Sequence, residues 1–543
     1  MHLEMINVEF SSMPKYQALS YTWGSPETTK TIAVNGALVE VQQNLHDALF
    51  NLIELPEWEG EVWLWVDAIC IDQQNLQERT SQVRLMDFIY TRAQRVLIWL
   101  GLPRPGFEQF KKNWATFPTD ILNSAQLNLF EDSVFEDPGK WNFFEEWLFE
   151  NDYWNRVWIV QEIGLSRKLA VCTGYGTIQW EDFFPAISRF KAWNNKFLLI
   201  ETLNEKRAHR HGDSNRLETL LEDFRYAKCQ ELRDKIYGFL GLAHDCEDGS
   251  IEADYSKPLF DVYVDVINFF NRQRPLLTDH NGHNRAAKVV RFSQLVQRLL
   301  GHDSTPISRM NQAQIVLAIG TVGGTILHVG PTFHELYSSS AVYKEWKRSF
   351  GKYYSSPADI QRLREANEAY EEILFHKLGT VIANVHSINP SVFESSGTLL
   401  SGVWDSPLCQ DAVEKIALEG SKENALNMPI GRALEELLDL STSTRTTRLF
   451  IGSGLLLGLG PPHAAEGDLL CQFDRTNVVA ILRKEEEKDI YRLIGGADLS
   501  KGHLEKEMPG WRETIVPTAD AKSMAIRMDI RTLHKLSSPF QVD

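Results

Sequence analysis

The spacing of apolar and polar residues predicts alternating strands and helices in the first hundred residues. KYQALSYTWG at 15–24 is a short apolar run that ends in aromatic residues and a glycine, and it predicts a strand. Asn35 and Gly36 separate two β-rich runs and predict a hairpin, because both residues tolerate positive φ. A helix should follow, with Asn44 as its cap and apolar side chains at helical spacing.

The residues from 62 to 101 predict a parallel sheet. VWLWVDAICID at 62–72 is apolar almost without alternation up to Asp67, which is typical of a strand covered on both faces. VLIWLG at 96–101 predicts another buried strand. The helix between them should bury Val83, Met86, Ile89, Tyr90 and Ala93. Strand, helix and strand with short links form a βαβ unit, so we expect an α/β first domain.

Further along the chain the pattern changes from helical to β-rich. A short helix is predicted over 152–165, and the chain is mainly helical from about 180 to 310. A β-rich part follows, with a helix near 361–378 and a hairpin whose charged tip is RKEEEKD at 483–489. The stretch 102–151 gives no clear element. The expected segments are an α/β domain at 1–180, a helical region at 181–310, a mixed, β-rich domain at 311–500 and a polar tail at 501–543.

Composition and charge narrow the classes of function. The 543 residues carry a formal net charge of −17 and contain no run of Lys and Arg, which argues against nucleic-acid binding. The six cysteines lie far apart without a CxxC pair, so neither a disulfide framework nor a zinc site is expected. Glu4 lies where a signal peptide needs an apolar core, and Ile315–Gly330 is too short to span a bilayer. We expect a cytoplasmic protein without a metal, nucleic-acid or membrane partner.

Candidate binding residues stand at the predicted carboxyl ends of strands, where ligands bind in open α/β sheets. Tyr21, Trp23 and Gly24 follow the first strand, and Asp67 follows a strand expected at the centre of the sheet. Aromatic faces suit a planar ring, and a glycine lets the backbone approach a phosphate closely. The structural alternatives are that Trp23 fills the edge of the core and that Asp67 caps the following loop.

Glu162 is the only ionisable residue between Val157 and Leu165. Trp158 precedes it by four residues, so the two should share one helix face. A carboxylate in an apolar helix is costly unless it is paired or used in chemistry. The structural alternative is a salt bridge with Arg156 or Arg79.

Three motifs resemble those of the fungal heterokaryon-incompatibility (HET) domain over about residues 16–180. They are KYQALSYTWG, LWVDAICIDQQNLQERTSQVRLMDFIYTRAQRVLIWLG and YWNRVWIVQEI, in this order. Downstream, RDKIYGFLGLA with ADYSKP, and RLFIGSGLLLGLGPP with EGDLL, resemble segments that accompany this domain in long fungal proteins. Members usually carry a further strand and loop before the first motif. Only fifteen residues precede Tyr16 here, so we expect an edge strand to be missing.

HET domains are similar to TIR domains, which have a flavodoxin-like parallel sheet with helices on both faces. Some TIR domains cleave NAD at the nicotinamide–ribose bond with a glutamate that follows a tryptophan by four residues, in a WCxxE pattern. Trp158 and Glu162 keep that spacing, while Ile159 replaces the cysteine. The resemblance therefore implies Glu162 as the catalytic residue. The residues implied for binding are Tyr21, Trp23, Gly24, Asp67, Arg79 and Trp158.

The resemblance also implies a role in fungal non-self recognition and programmed cell death. NAD would be the substrate rather than a cofactor, self-association would switch the activity on, and a protein would be the incompatibility partner. Nicotinamide leaves as a neutral base, so Glu162 would stabilise positive charge on the ribose. A second class remains open: a non-enzymatic signalling module that self-associates through its HET domain. In that case Glu162 is structural, and its replacement should lower stability without altering NAD turnover.

Overall fold

The computed structural model of the chain contains two compact units. One comprises Met1–Phe269 with Arg298–Thr305, and the other comprises Phe270–Gln297 with Pro306–Asp543. Most of the unplaced stretch 102–151 and the second half of the helix predicted near 361–378 lie outside the described residues. The residues that the structure describes are 1–55, 62–102, 147–173, 176–188, 197–210, 212–272, 285–301, 314–332, 335, 340–367, 447–473, 476, 479–499 and 522–537.

A five-stranded sheet forms the centre of the first unit. The strand order is β5-β2-β6-β7-β8, and all pairs are parallel except β7 with β8. Strand β6 is buried along its whole length, as its unbroken apolar run predicts. The elements up to residue 188 are β1 (His2–Leu3), β2 (Gln17–Tyr21), β3 (Thr29–Val34), β4 (Ala37–Gln42), α1 (Gln43–Ile53), β5 (Leu64–Trp65), α2 (Asp67–Cys70), α3 (Leu76–Val83), α4 (Met86–Arg92), β6 (Val96–Trp99), α5 (Ile159–Gly164), β7 (Leu169–Thr173), β8 (Gly176–Gln179) and α6 (Trp180–Ser188).

A smaller sheet of β1, β3 and β4 contains the predicted hairpin. Strands β3 and β4 pair antiparallel, and the turn residues Asn35 and Gly36 have φ of 49° and 80°, so the tight turn is confirmed. Strand β1 precedes the first motif and pairs in parallel with Ala33 and Val34 of β3.

The strand predicted at 62–72 is wrong in length and position. Strand β5 contains only Leu64 and Trp65, both are half-buried, and it lies at the edge of the sheet rather than at its centre. The chain turns into α2 at Asp67, whose Oδ1 accepts the backbone N–H of Ala68 at 2.7 Å. A helix therefore ends the apolar run, although its nearly continuous apolar side chains resemble those of a buried strand. The single helix predicted after it is divided at Arg84 into α3 and α4.

The helix predicted over 152–165 is interrupted at its middle. Residues Asp152–Asn155 form a 3-10 turn, Arg156 is extended with φ −73° and ψ 137°, and α5 begins only at Ile159. The interruption has a tertiary cause, because the Val157 N–H donates to the Lys228 carbonyl oxygen at 3.0 Å. A partner far along the chain thus overrides local helix propensity here.

The described residues between 180 and 300 are mainly helical, as predicted, and RDKIYGFLGLA at 233–243 contains a helix. Among the described residues, no helix is long and apolar enough to cross a membrane. The further helices are α7 (Phe197–Ala208), α8 (Leu217–Asp223), α9 (Asp234–Leu240), α10 (Leu259–Arg272) and α11 (Arg285–Leu300).

The second unit contains a seven-stranded sheet in the order β10-β11-β14-β13-β12-β9-β15. The hairpin with the tip RKEEEKD is confirmed, since β13 and β14 pair from Val479–Ala497 to Glu485–Ile490. The elements of this unit are β9 (Ile315–Thr332), α12 (Ser340–Tyr353), β10 (Arg448–Gly452), β11 (Leu456–Gly460), β12 (Leu469–Phe473), β13 (Val479–Glu485), β14 (Ile490–Leu499), β15 (Lys522–Asp529) and α13 (Ile530–Ser537).

The structure also corrects the expectation of a tail after residue 500. Strand β15 pairs antiparallel with β9, from Lys522 opposite Val322 to Asp529 opposite Ile315. Helix α13 follows directly and buries three apolar side chains (Ile530, Leu533 and Leu536). The polar composition of this segment concealed both elements, because each needs only one apolar face.

Candidate functional site

A cavity of about 520 Å³ lies in the first unit at the carboxyl ends of β2 and β5. Its volume is in the range of small-molecule sites. Five of the predicted binding residues line it, namely Trp23, Gly24, Asp67, Arg79 and Trp158. Further polar residues on its wall were not assigned to the site from the sequence, among them Arg156, Lys228, Asp234 and Tyr255.

A hydrogen bond between Trp23 and Asp67 connects the loop after β2 with the first residue of α2. The Trp23 indole N–H donates to Asp67 Oδ2 at 2.9 Å, while Asp67 Oδ1 accepts the Ala68 N–H. Both carboxylate oxygens are therefore engaged, and the indole is held at the cavity wall. Trp23 is half-buried and packs against the core of this sheet, as the structural alternative states, and it also lines the cavity.

Asn44 positions the loop that contains Trp23. Its side-chain amide donates to the Thr22 carbonyl oxygen at 2.6 Å and accepts from the Trp99 indole N–H at 2.9 Å. Asn44 lies inside α1, so its predicted role as the helix cap is wrong. Gly24 has φ +88°, a conformation that a glycine adopts at little cost, and this turns the backbone away after the strand.

Asp234 forms the opposite wall of the cavity. It is 9% exposed, its Oδ2 accepts the Trp158 indole N–H at 3.1 Å, and its Oδ1 accepts the Tyr255 hydroxyl at 2.7 Å. Burial raises the pKa of Asp234 from its ordinary value of 3.8 to about 6, although these two hydrogen bonds oppose the shift. The sequence pattern gave no reason to select Asp234, because Trp158 precedes it by 76 residues.

Three cationic side chains, those of Arg79, Arg156 and Lys228, also line the cavity. The Arg79 guanidinium lies over the Tyr255 ring, with its carbon 4.1 Å from the ring centre. The buried Nε of Arg79 has no hydrogen-bond partner among the described residues. The Lys228 ammonium pairs with Asp152 at 3.1 Å.

Glu162 does not line the cavity. Its side chain is fully buried, accepts a hydrogen bond from the Ser20 hydroxyl, and lies 3.8 Å from the Arg156 guanidinium. The salt bridge of the structural alternative is therefore present, with Arg156 rather than Arg79 as its partner. Ser20 in turn contacts the Tyr153 hydroxyl at 2.6 Å. Burial raises the pKa of Glu162 from 4.5 to about 7, against the lowering effects of Arg156 and Ser20.

Arg156 stands between this buried carboxyl group and the cavity. Its guanidinium contacts Glu162, donates to the Tyr21 carbonyl oxygen and lines the cavity. The predicted binding residue Tyr21 is itself buried and does not line the cavity. Burial and the Asp67 carboxylate raise the pKa of Tyr21 well above its ordinary value. Two of the seven predicted site residues, Tyr21 and Glu162, are therefore buried behind the cavity wall and do not line the cavity.

The cavity offers aromatic faces, cations and carboxylates, but the described part of the chain shows no cluster of three or more His, Cys, Asp or Glu that would hold a metal ion. Such a mixed lining suits an organic ligand that carries a planar ring and an anionic group.

Comparisons with known proteins identify relatives of part of the chain. Residues 16–162 match the family model described as heterokaryon incompatibility protein (HET). A protein of Neurospora crassa named heterokaryon incompatibility protein 6, OR allele, is 24% identical over 357 residues, which cover 53% of this chain and 51% of the relative. The chain thus spans about half the length of this curated relative. No solved structure matches the chain. Lys228, Asp234 and Tyr255 lie outside the matched residues 16–162.

Proposed function

Because this chain is a HET-domain protein, we propose that it acts in heterokaryon incompatibility, in the fungal non-self recognition that leads to programmed cell death. The match over residues 16–162 and the name of the Neurospora crassa relative support this role. Its partner would be a protein from the incompatible strain, and its site of action would be the cytoplasm.

We further propose that the first unit is a TIR-like, flavodoxin-like domain. Numbered by their appearance along the chain, the five strands of the central sheet follow the order 2-1-3-4-5, which is that of flavodoxin-like sheets. The last strand departs from the pattern, because β8 runs antiparallel to β7. Ligands of such sheets bind at the carboxyl ends of the strands, where the cavity lies.

The molecular activity that we propose is cleavage of NAD at the nicotinamide–ribose bond. The observation that carries this proposal is the lining of the cavity, which combines the indoles of Trp23 and Trp158 with Asp67 and the cations Arg79 and Arg156. Indole faces suit the nicotinamide ring, and the guanidinium groups suit the pyrophosphate. Gly24 allows the backbone to approach that ligand closely.

Glu162 is the proposed catalytic residue. When the bond between nicotinamide and C1′ of the ribose breaks, nicotinamide departs as a neutral base, and a water molecule forms the new bond to C1′ and loses its proton to solvent. The residue that matters is therefore the one that stabilises positive charge on the ribose. The ionised Glu162 carboxylate would do this once Arg156 moves aside. Arg156 also donates to the carbonyl oxygen of Tyr21, so a shift of the loop after β2 would release it. We propose that self-association causes this shift, and we expect the monomer to be inactive.

The decisive experiment measures nicotinamide release from NAD by the purified full chain at high concentration with a crowding agent. We expect release from the wild type and none from Glu162→Gln, which keeps the size of the side chain. The matched control is Glu181→Gln, whose carboxylate is on the surface and pairs with Arg207 at 3.3 Å. Light scattering must show that all three proteins assemble. Equal release from wild type and Glu162→Gln would contradict the catalytic role.

The second candidate function is a signalling module without enzymatic activity that self-associates through its HET domain. It is favoured by the complete burial of Glu162 and by its contacts with Ser20 and Arg156, which are those of a structural ion pair. Under this alternative, assembled wild type releases no nicotinamide, and Glu162→Gln changes stability alone.

A further inference from the structure

On the cavity wall formed by Asp234 and Tyr255, neighbouring side chains hold the Asp234 carboxylate in position to accept hydrogen bonds from a ligand. The Tyr255 hydroxyl holds one oxygen of Asp234 at 2.7 Å, and the Trp158 indole holds the other at 3.1 Å. Both donors are themselves on the cavity wall. The carboxylate is therefore fixed in one orientation before any ligand arrives, which reduces the entropy lost on binding.

Asp234 retains capacity for a ligand. A carboxylate accepts about four hydrogen bonds, and the described neighbours use two of them. The residue lines the cavity, so the remaining lone pairs are available to a ligand there. Two adjacent acceptor oxygens match the two hydroxyl donors of a vicinal diol, as found in ribose. An amide or a lone hydroxyl would use only one of them.

A cation stands beside this acceptor. The Arg79 guanidinium stacks on Tyr255, the same residue that holds Asp234, and its buried Nε has no hydrogen-bond partner among the described residues. Arg79 also lines the cavity. The residue is half-buried, so its guanidinium remains open to the cavity and suits a phosphate oxygen of a ligand there. The acceptor and the donor together match a diol and a phosphate on one molecule.

We propose that Asp234 is the ribose-recognising residue of this cavity, accepting hydrogen bonds from both hydroxyls of a vicinal diol while Arg79 binds the adjoining phosphate. The ligand class is a ribonucleotide with a free 2′,3′-diol. This inference rests on the proposed function in one respect, because it takes NAD as the natural ligand among such ribonucleotides. It also means that the segment from Lys228 to Tyr255, beyond the residues that match the family model, completes the binding site.

The experiment is calorimetric titration of the full chain with ADP-ribose, which has no nicotinamide to release. Two analogues are compared, each lacking the 2′-hydroxyl on one of the two riboses. We expect the wild type to bind one analogue about tenfold to a hundredfold more weakly than ADP-ribose, since the lost hydrogen bond has a charged acceptor. Asp234→Asn should bind ADP-ribose more weakly and should lose the preference.

The matched control is Asp265→Asn. Asp265 is a carboxyl group of the same unit, it pairs with Lys257 at 2.7 Å, and it does not line the cavity. This variant should keep the full preference for the diol. Absence of ADP-ribose binding, an equal affinity for all three ligands, or a preference that persists in Asp234→Asn would each overturn the assignment.

A second measurement needs no variant and covers the case in which Asp234→Asn fails to fold. Protonation of Asp234 removes acceptor capacity. The preference of the wild type for ADP-ribose over the more weakly bound of the two analogues should therefore be smaller at pH 5 than at pH 7.5. The charged or titratable groups around Asp234 are Glu231, Arg79, Tyr255 and Cys229. An unchanged preference would overturn the inference.

The two proposals fail separately. Binding that depends on the diol and on Asp234, without nicotinamide release from NAD, would support the ribose site and contradict the NAD-cleaving activity. Release that depends on Glu162, with no preference for the diol, would contradict the ribose site alone.

Discussion

Replacing Glu162 with glutamine should change how the stability of the first unit depends on pH. Glu162 is 1% exposed, and burial raises its folded-state pKa from 4.5 to about 7. The folded state therefore holds this proton more tightly than the unfolded chain does. The stabilisation from Glu162 is fully present below pH 4.5 and is lost as the pH rises through about 7.

The size of the effect follows from the two pKa values. At roughly 1.4 kcal/mol per pKa unit, ionising Glu162 costs the folded state about 3 kcal/mol, of which about 2.5 kcal/mol is lost between pH 5 and pH 8. Glutamine does not titrate, so Glu162→Gln should show no such loss. The raised pKa of Asp234 also makes stability fall as the pH rises, but it does so equally in wild type and Glu162→Gln. It therefore cancels when the stabilities of the two proteins are subtracted.

Differential scanning calorimetry of the two full chains at pH 5 and pH 8 measures this difference. For a unit of this size, 1 kcal/mol corresponds to about 2 °C in Tm, so the wild type should lose about 5 °C relative to Glu162→Gln between the two pH values. The control Glu181→Gln should follow the wild type, because Glu181 is exposed. A difference in Tm between wild type and Glu162→Gln that is the same at pH 5 and at pH 8 would refute the reasoning. A wild type that gains with pH would show that the ion pair with Arg156 outweighs burial.

Three further predictions concern the support of the site and of the second unit. Asn44→Ala should destabilise the first unit by about 2 kcal/mol in denaturant unfolding, because the Thr22 carbonyl and the Trp99 indole each lose a partner; an effect under half of this value would contradict the positioning role. Gly24→Ala should cost about 1–2 kcal/mol because φ is +88°, measured by the same unfolding, and a neutral effect would refute it. A chain that ends after residue 521 should be digested rapidly within the second unit in limited proteolysis, because β15 and α13 are removed; resistance equal to that of the full chain would show that they are dispensable.

Local sequence patterns were sufficient for several elements and for part of the site. The hairpin at Asn35 and Gly36 depends on two adjacent residues with positive φ, and β6 depends on an unbroken apolar run. Trp23 and Asp67 were selected because they follow strands, and the structure places them 2.9 Å apart. Such features are predictable because each is determined by neighbours in the chain or by the general geometry of parallel sheets.

Tertiary contacts decided the rest. The hydrogen bond from Val157 to the Lys228 carbonyl interrupts the predicted helix, and the resulting course of the chain places Arg156 between Glu162 and the cavity. Asp234 lies on the cavity wall opposite Trp23 because helix α9, which is distant in the chain, packs there. No spacing in the sequence indicates this contact. The sequence by itself thus determined β2, β6, the hairpin at Asn35 and Gly36 and several residues at strand ends, since these depend on local periodicity and turn chemistry. The burial of Glu162, the elements beyond residue 521 and the composite wall of the cavity depend on which distant surfaces pack together, and only the folded chain determines that.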